Sequence, residues 1–229
     1  MIRAIIFDIG GPLDLETEFE AAIDADIRSG LAREGFAVSD ASWDAAHRYA
    51  VETCAPSLYR SVIWQLTRGD LEKAVRIDDW MEERAAERSL FELRPGIVDV
   101  LEALRLRRLK LGLAANQPLR ALDDLARHGI GHYFENPGIS AVYGFKKPDV
   151  RLFLRACEDL GVEPADCIMV GDRIDNDVVP GKLLGMRTVR IRTGRHRDQR
   201  ARSWDEMADV EVDDAAGILQ AVTQLLDGR

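Results

Sequence analysis

A chain of 229 residues, 46% hydrophobic and 31% charged, is long enough to bury a core and too apolar to be a disordered polymer. Its net charge of −9 excludes general nucleic-acid binding, so any anion must be held by local groups rather than by the overall field. No apolar run approaches the ~20 residues of a membrane span, the first residues are too short for a signal segment, and Cys54, Cys157 and Cys167 fit no disulfide or zinc spacing, so the expectation is a soluble cytoplasmic protein with buried, reduced thiols and no membrane partner.

The opening run Ala4-Ile5-Ile6-Phe7 is continuously apolar and is stopped by turn residues, the pattern of a strand buried on both faces. It presents Asp8 at its carboxyl tip, and Gly10 and Gly11 then allow the backbone to approach a ligand and offer it N–H groups. Residues 15–92 carry no strand pattern. Phe19, Ala22, Ile23, Ile27 and Leu31 recur at helical spacing within Glu18 to Arg33, and Ser42 is placed to cap a second helix reaching Thr53. Leu58, Val62 and Leu66 mark a third helix after Pro56, and Asp70 to Arg88 a fourth. Trp43, Trp64 and Trp80 read as the packing of a small helical domain; if exposed, they would line a substrate pocket or a homodimer contact.

From Arg94 helices and strands alternate. Pro95-Gly96 opens a helix with Ile97, Val100, Leu101 and Leu104 on its apolar face, followed by a strand over Leu109 to Ala115. A helix begins near Pro118 and stops at Gly129, and Ile139 to Tyr143 reads as a short strand leading to Lys147-Pro148. A further helix ends at Gly161, strands span Cys167 to Gly171 and Thr188 to Ile191, and Ile218, Val222, Leu225 and Leu226 line a last helix. This alternation predicts an α/β fold, a Rossmann-like parallel sheet flanked by helices, made of residues 1–14 and 93–229 with the all-helical segment 15–92 inserted. The seven arginines from Arg187 to Arg202, with His196, read as a solvated loop after the last core strand, or as an anchor for an acidic partner.

In a parallel sheet the carboxyl ends share one edge, so Asp8, Asn116, Lys147 and Asp172 converge there. Asp172, Asp175 and Asp177 repel one another unless a cation neutralises them, and carboxylate oxygens with room for water and phosphate suit Mg²⁺; the bland reading is an acidic turn that caps a helix. Lys147 is a point charge able to keep a nearby carboxylate ionised.

Phe7-Asp8-Ile9-Gly10-Gly11-Pro12-Leu13, Ala115-Asn116, Lys147-Pro148 and Gly171-Asp172 to Asp177, in that order, resemble the four motifs of the haloacid dehalogenase-like hydrolase superfamily. The resemblance covers essentially the whole chain, with 15–92 where that family inserts a helical cap. It implies a Mg-dependent hydrolase of a small phosphorylated metabolite, in which Asp8 attacks and forms an aspartyl-phosphate. It implies Mg²⁺ bound by the Asp8 carboxylate, the Gly10 carbonyl and Asp172, with Asp177, or Asp175, in support. Backbone N–H groups near Gly10, Gly11 and Asn116 would bind phosphoryl oxygens, and Lys147 would balance their charge.

Two positions depart from the pattern. The family's phosphatases carry a second Asp at position 10, the proton donor and acceptor, and a Ser or Thr at position 115; here they are Gly10 and Ala115. A 2-haloacid dehalogenase-like hydrolase, or a feebly active member serving as a binding module, are therefore the competing readings. The dehalogenase branch works without metal, whereas the fourth motif here carries the full metal-binding set.

Overall fold

In the computed structural model, which describes residues 1–86 and 88–228, the buried run Ala4–Phe7 forms β1. The chain divides into two compact units, Met1–Leu15 with Phe91–Arg229, and Glu16–Leu90.

The first unit is an α/β fold. Among the described residues, β1, β2 (Lys110–Leu113), β3 (Cys167–Gly171), β4 (Arg187–Ile191) and β5 (Val210–Val212) make one sheet in the order β2-β1-β3-β4-β5. Every pairing is parallel, with Phe7 opposite both Leu113 and Val170 and Gly171 opposite Arg190. β1 thus lies between β2 and the central β3, and Asp8 and Asp172 emerge side by side from adjacent strand ends. Helices α5 (Ile97–Leu106) and α10 (Ala215–Leu226) cover one face, where Ile5, Phe7, Leu101, Val170, Val189 and Val222 pack together. Helix α8 (Val150–Leu160) covers the other, against Ala4, Ile6, Cys167 and Met169.

The second unit is helical: α1 (Thr17–Arg33), α2 (Asp40–Glu52), α3 (Leu58–Leu66) and α4 (Leu71–Ala86) enclose Ile23, Ile27, Trp43, Val62, Ile77 and Met81. The cap of α2 is Ser39, not Ser42; Ser39 is extended and its hydroxyl accepts the Ser42 N–H at 3.2 Å, because the helix starts at Asp40. Buried Asp26 is held by Arg84 at 2.6 Å and by Arg88; burial opposes its charge, and the two guanidiniums outweigh that and hold its carboxyl below the usual range. Of the tryptophans, Trp43 is core, Trp80 lies under the Arg33 and Arg84 guanidiniums and Trp64 is half exposed.

Several local readings need correction. Ile139 pairs with Ala115 through one isolated bridge, and Ser140–Tyr143 then coils into a single turn, α7, closed by left-handed Gly144 at φ 76°. β5 was not legible, since a three-residue strand has no period to read. Cys157 and Cys167 are buried with their sulfurs 3.8 Å apart, but Cys54 is only partly buried. The arginine-rich stretch is not simply a solvated loop. Arg190 lies in β4 with 2% exposure, and acids from the following segment answer its neighbours: Asp209 for Arg187, Asp213 for Arg192 and Arg197, Glu206 for Arg202. These four of the seven arginines are thus paired with acids of the same chain. No helix among the described residues is long and apolar enough to cross a membrane.

Candidate active site

The turn after β1 is set by backbone bonds. Leu13 and Asp14 N–H groups donate to the Ile9 carbonyl at 3.0 and 2.9 Å, and Gly11 sits at φ +81°. A Cβ at Gly11 would lie 2.7 Å from the Asp172 Cβ, so only glycine lets the two strand ends approach. Asp8 Oδ1 accepts the N–H of Ile9 at 2.8 Å, and its Oδ2 lies 2.6 Å from the Lys147 ammonium.

Lys147 is delivered by Asn116. The Asn116 side chain takes the Lys147 N–H at 2.7 Å and gives its own to the Lys147 carbonyl at 3.0 Å. The side chain at the end of β2 is therefore spent on aiming a lysine. That ammonium also donates to Asp177 Oδ1 at 2.6 Å and is 1% exposed. Burial works against its charge, yet the Asp177 and Asp8 carboxylates outweigh burial and hold it above its ordinary value.

A wide turn over Ile174–Val178 folds Asp177 back onto the end of β3, where its Oδ2 accepts the Arg173 N–H at 3.0 Å. Gly171 makes this possible, because a Cβ there would overlap the Asp177 carboxyl group. Gly171→Ala is expected to push Asp177 away from Lys147 and to cost about 1–3 kcal/mol of stability as an overpacked site. Urea unfolding measures the cost; an unchanged midpoint would count against the overlap. Asp175 does not join the cluster: it pairs with Arg173 and accepts the Gln199 amide at 2.9 Å. Burial opposes the Asp175 charge, and those partners outweigh it and lower its pKa.

The carboxylate oxygens of Asp8, Asp172 and Asp177 lie within 4.8 Å of one another, all three residues buried. One lysine does not neutralise three acids. Burial, with Asp177 adding, pushes Asp8 up to about 6 against the pull of Lys147; burial, Asp177 and Asp8 drive Asp172 well above the carboxylate range. No described residue donates a hydrogen bond to the Asp172 carboxylate. A hard-oxygen set short of positive charge fits a divalent cation of the Mg²⁺ kind.

A consequence follows for the metal-free protein. The folded state binds a proton at Asp8 between its ordinary 3.8 and about 6, so that share of stability is present below 3.8 and is lost as pH rises through about 6. In EDTA, chemical denaturation between pH 4 and 7 should show a loss on the order of 3 kcal/mol in the wild type that Asp8→Asn lacks. Equal pH slopes in the two proteins would refute it.

Asp14, the nearest spare acid in sequence, is 8% exposed and accepts the Glu92 N–H at 2.8 Å, which ties it to the returning chain. Ala115 is fully buried and supplies no hydroxyl. Sequence reading missed two buried arginines: Arg94 donates to the Gly11 carbonyl at 2.5 Å and to Thr193 Oγ1 at 2.8 Å, and Arg190 donates to the Asp172 carbonyl at 3.1 Å. In sequence Arg94 only precedes the helix-opening Pro95-Gly96, and Arg190 is one arginine among seven.

The comparisons with known proteins bear on the same region. A family model described as haloacid dehalogenase-like hydrolase matches residues 2–185. The glyceraldehyde 3-phosphate phosphatase of Methanopyrus kandleri is 36% identical over 132 residues, 57% of this chain and 57% of that protein, so the chain spans little more than half of that relative. The phosphoglycolate phosphatase 1 of Pseudomonas aeruginosa is 26% identical over 200 residues, 84% of this chain and 70% of its own length. Among solved structures, a predicted phosphoglycolate phosphatase from Haemophilus somnus superposes with a TM-score of 0.73 at 19% identity, over 96% of this chain and 98% of that one. That likeness is one of fold.

Proposed function

The chain belongs to the haloacid dehalogenase-like hydrolase family, and we propose that it hydrolyses the phosphate monoester of a small metabolite through an aspartyl-phosphate on Asp8. The observation that carries this is the Lys147 ammonium, 2.6 Å from both Asp8 and Asp177, with the Asp172 carboxylate beside them and undonated. The names of the relatives, which act on glyceraldehyde 3-phosphate and phosphoglycolate, support a small anionic substrate. The helical unit Glu16–Leu90 takes the role of the family's cap.

Asp8 holds its attacking oxygen in place through the Ile9 N–H and Lys147. In the first step a bond forms from Asp8 Oδ to phosphorus as the phosphorus–oxygen ester bond breaks, and the leaving oxygen takes up a proton. In the second, water attacks phosphorus, gives up a proton, and releases phosphate with the Asp8 carboxylate restored. Asp8, Asp172 and Asp177 would hold Mg²⁺ together with the Gly10 carbonyl, and the bound ion supplies charge to offset that between nucleophile and phosphate. Lys147 adds a fixed positive charge at the same point, and the N–H groups of Gly10 and near Asn116 receive phosphoryl oxygens, since the Ile9 N–H is given to Asp8 and the Gly11 N–H, against expectation, to the Asp14 carbonyl at 2.9 Å.

Hydrolysis of an aryl phosphate with Mg²⁺ and with EDTA tests the reading. Turnover that needs the metal is the expected result; turnover unaffected by EDTA would overturn the metal's part. Gly10 favours a second reading, a binding module that holds phosphate without turning it over. Mg²⁺-dependent phosphate binding with no hydrolysis of any ester would decide for it, and chloride release from 2-haloacids would decide for the dehalogenase.

A further inference from the structure

Resting on the metal reading of the Asp8–Asp172–Asp177 cluster, we infer that Arg190 is a positioning residue that aims Asp172 at the cation through the Asp172 main-chain carbonyl. Asp8 and Asp177 are both steered by donors to their carboxylates, from Ile9, Lys147 and Arg173. Asp172 has no such donor among the described residues. Its aim is therefore set by its backbone and by what packs on its Cβ.

On one side that backbone is backed by Gly11, where an added Cβ would come within 2.7 Å of the Asp172 Cβ. On the other it is held by the Arg190 Nε–H, 3.1 Å from the Asp172 carbonyl. The guanidinium is itself fixed at its remaining donors: Nη1 to Glu211 at 2.8 Å and Nη2 to the His196 carbonyl at 2.7 Å. These acceptors come from three places, the end of β3, the loop after β4 and strand β5. The planar fork locks their mutual positions.

Volume alone does not call for this residue. Arg190 is 2% exposed, a depth at which apolar side chains fill space without a charge to desolvate. A buried guanidinium is costly to desolvate, and apolar replacements of buried ion pairs are often neutral or stabilising. What the guanidinium adds is direction, delivered to the main chain of the one carboxylate in the cluster to which no described residue donates a hydrogen bond.

The test is Mg²⁺ titration by calorimetry of the EDTA-stripped full chain, wild type against Arg190→Gln, with thermal unfolding of each and kcat and KM on an aryl phosphate. Removing a group that orients a ligand typically weakens metal affinity by about 10–100-fold. The expected result is a Mg²⁺ Kd raised by that factor, with kcat recovered at high Mg²⁺ and KM little changed. A lower melting point with an unchanged Kd makes Arg190 merely structural and overturns the inference. If Arg190→Gln does not fold, Glu211→Gln removes the partly exposed carboxylate that steadies Nη1; a smaller weakening in the same direction supports the inference and an unchanged Kd overturns it. Absence of Mg²⁺ binding by the wild type overturns the metal reading itself, a distinct result.

Discussion

Asp8→Asn is expected to lower turnover of phosphate esters by about 10⁴–10⁶-fold in kcat, on the scale of nucleophile removals elsewhere. The amide keeps the shape and the Ile9 N–H bond but has no anionic oxygen to attack phosphorus. It also leaves Lys147 facing one carboxylate instead of two, so the protein should remain folded through the Asp177 contact at 2.6 Å. Single-turnover and steady-state assays, with circular dichroism to confirm the fold, measure this. Residual hydrolysis within tenfold of the wild type would mean that Asp8 is not the nucleophile.

Gly10→Asp is expected to raise turnover of an unactivated alkyl phosphate by about 10²–10⁴-fold, the usual worth of general acid–base help. Both steps move a proton at the leaving or attacking oxygen, and no side chain at position 10 handles it. Asp14 is committed to the Glu92 N–H and does not stand in. The backbone accepts the change, since Gly10 is not among the glycines at positive φ. The gain should be smaller for 4-nitrophenyl phosphate, whose leaving group departs without a proton. A profile of kcat/KM against leaving-group pKa, steep in the wild type and flattened in Gly10→Asp, is the measurement. Equal slopes would place the proton donor elsewhere in the chain.

The two substitutions ask complementary questions of one loop. The first removes the bond-forming atom; the second restores a proton carrier that the resemblance leads one to expect. A chain with no turnover in either form, yet binding phosphate in the presence of Mg²⁺, would be a phosphate-binding module.

Much of this site was legible in order of sequence. A short apolar run stopped by turn residues after an acid reads as a buried strand with a polar tip, and the alternation after Arg94 implies a parallel sheet, which brings Asp8 and Asp172 to one edge. Asn116 and Lys147 also announced themselves by place, but their relation did not: the amide grips the lysine's backbone, a pairing between residues 31 apart. Asp175 and Asp177 show the limit most clearly. Two residues apart in a turn, they point to different partners, and a wide turn over a glycine with no Cβ chose which one meets Lys147.

By itself, then, the order of residues determined four of the five strands, the longer helices and the carboxylates at the sheet edge, because hydrophobic period and chain stops act over a few residues at a time. Only the tertiary structure decided what each charge faces. Arg94 and Arg190 became buried braces, Arg187, Arg192 and Arg202 found acids of the segment that follows, and no described residue donates to the Asp172 carboxylate. Those outcomes depend on long-range neighbours in a low-dielectric interior, where a buried charge must find a partner and which partner is a matter of packing rather than of local pattern.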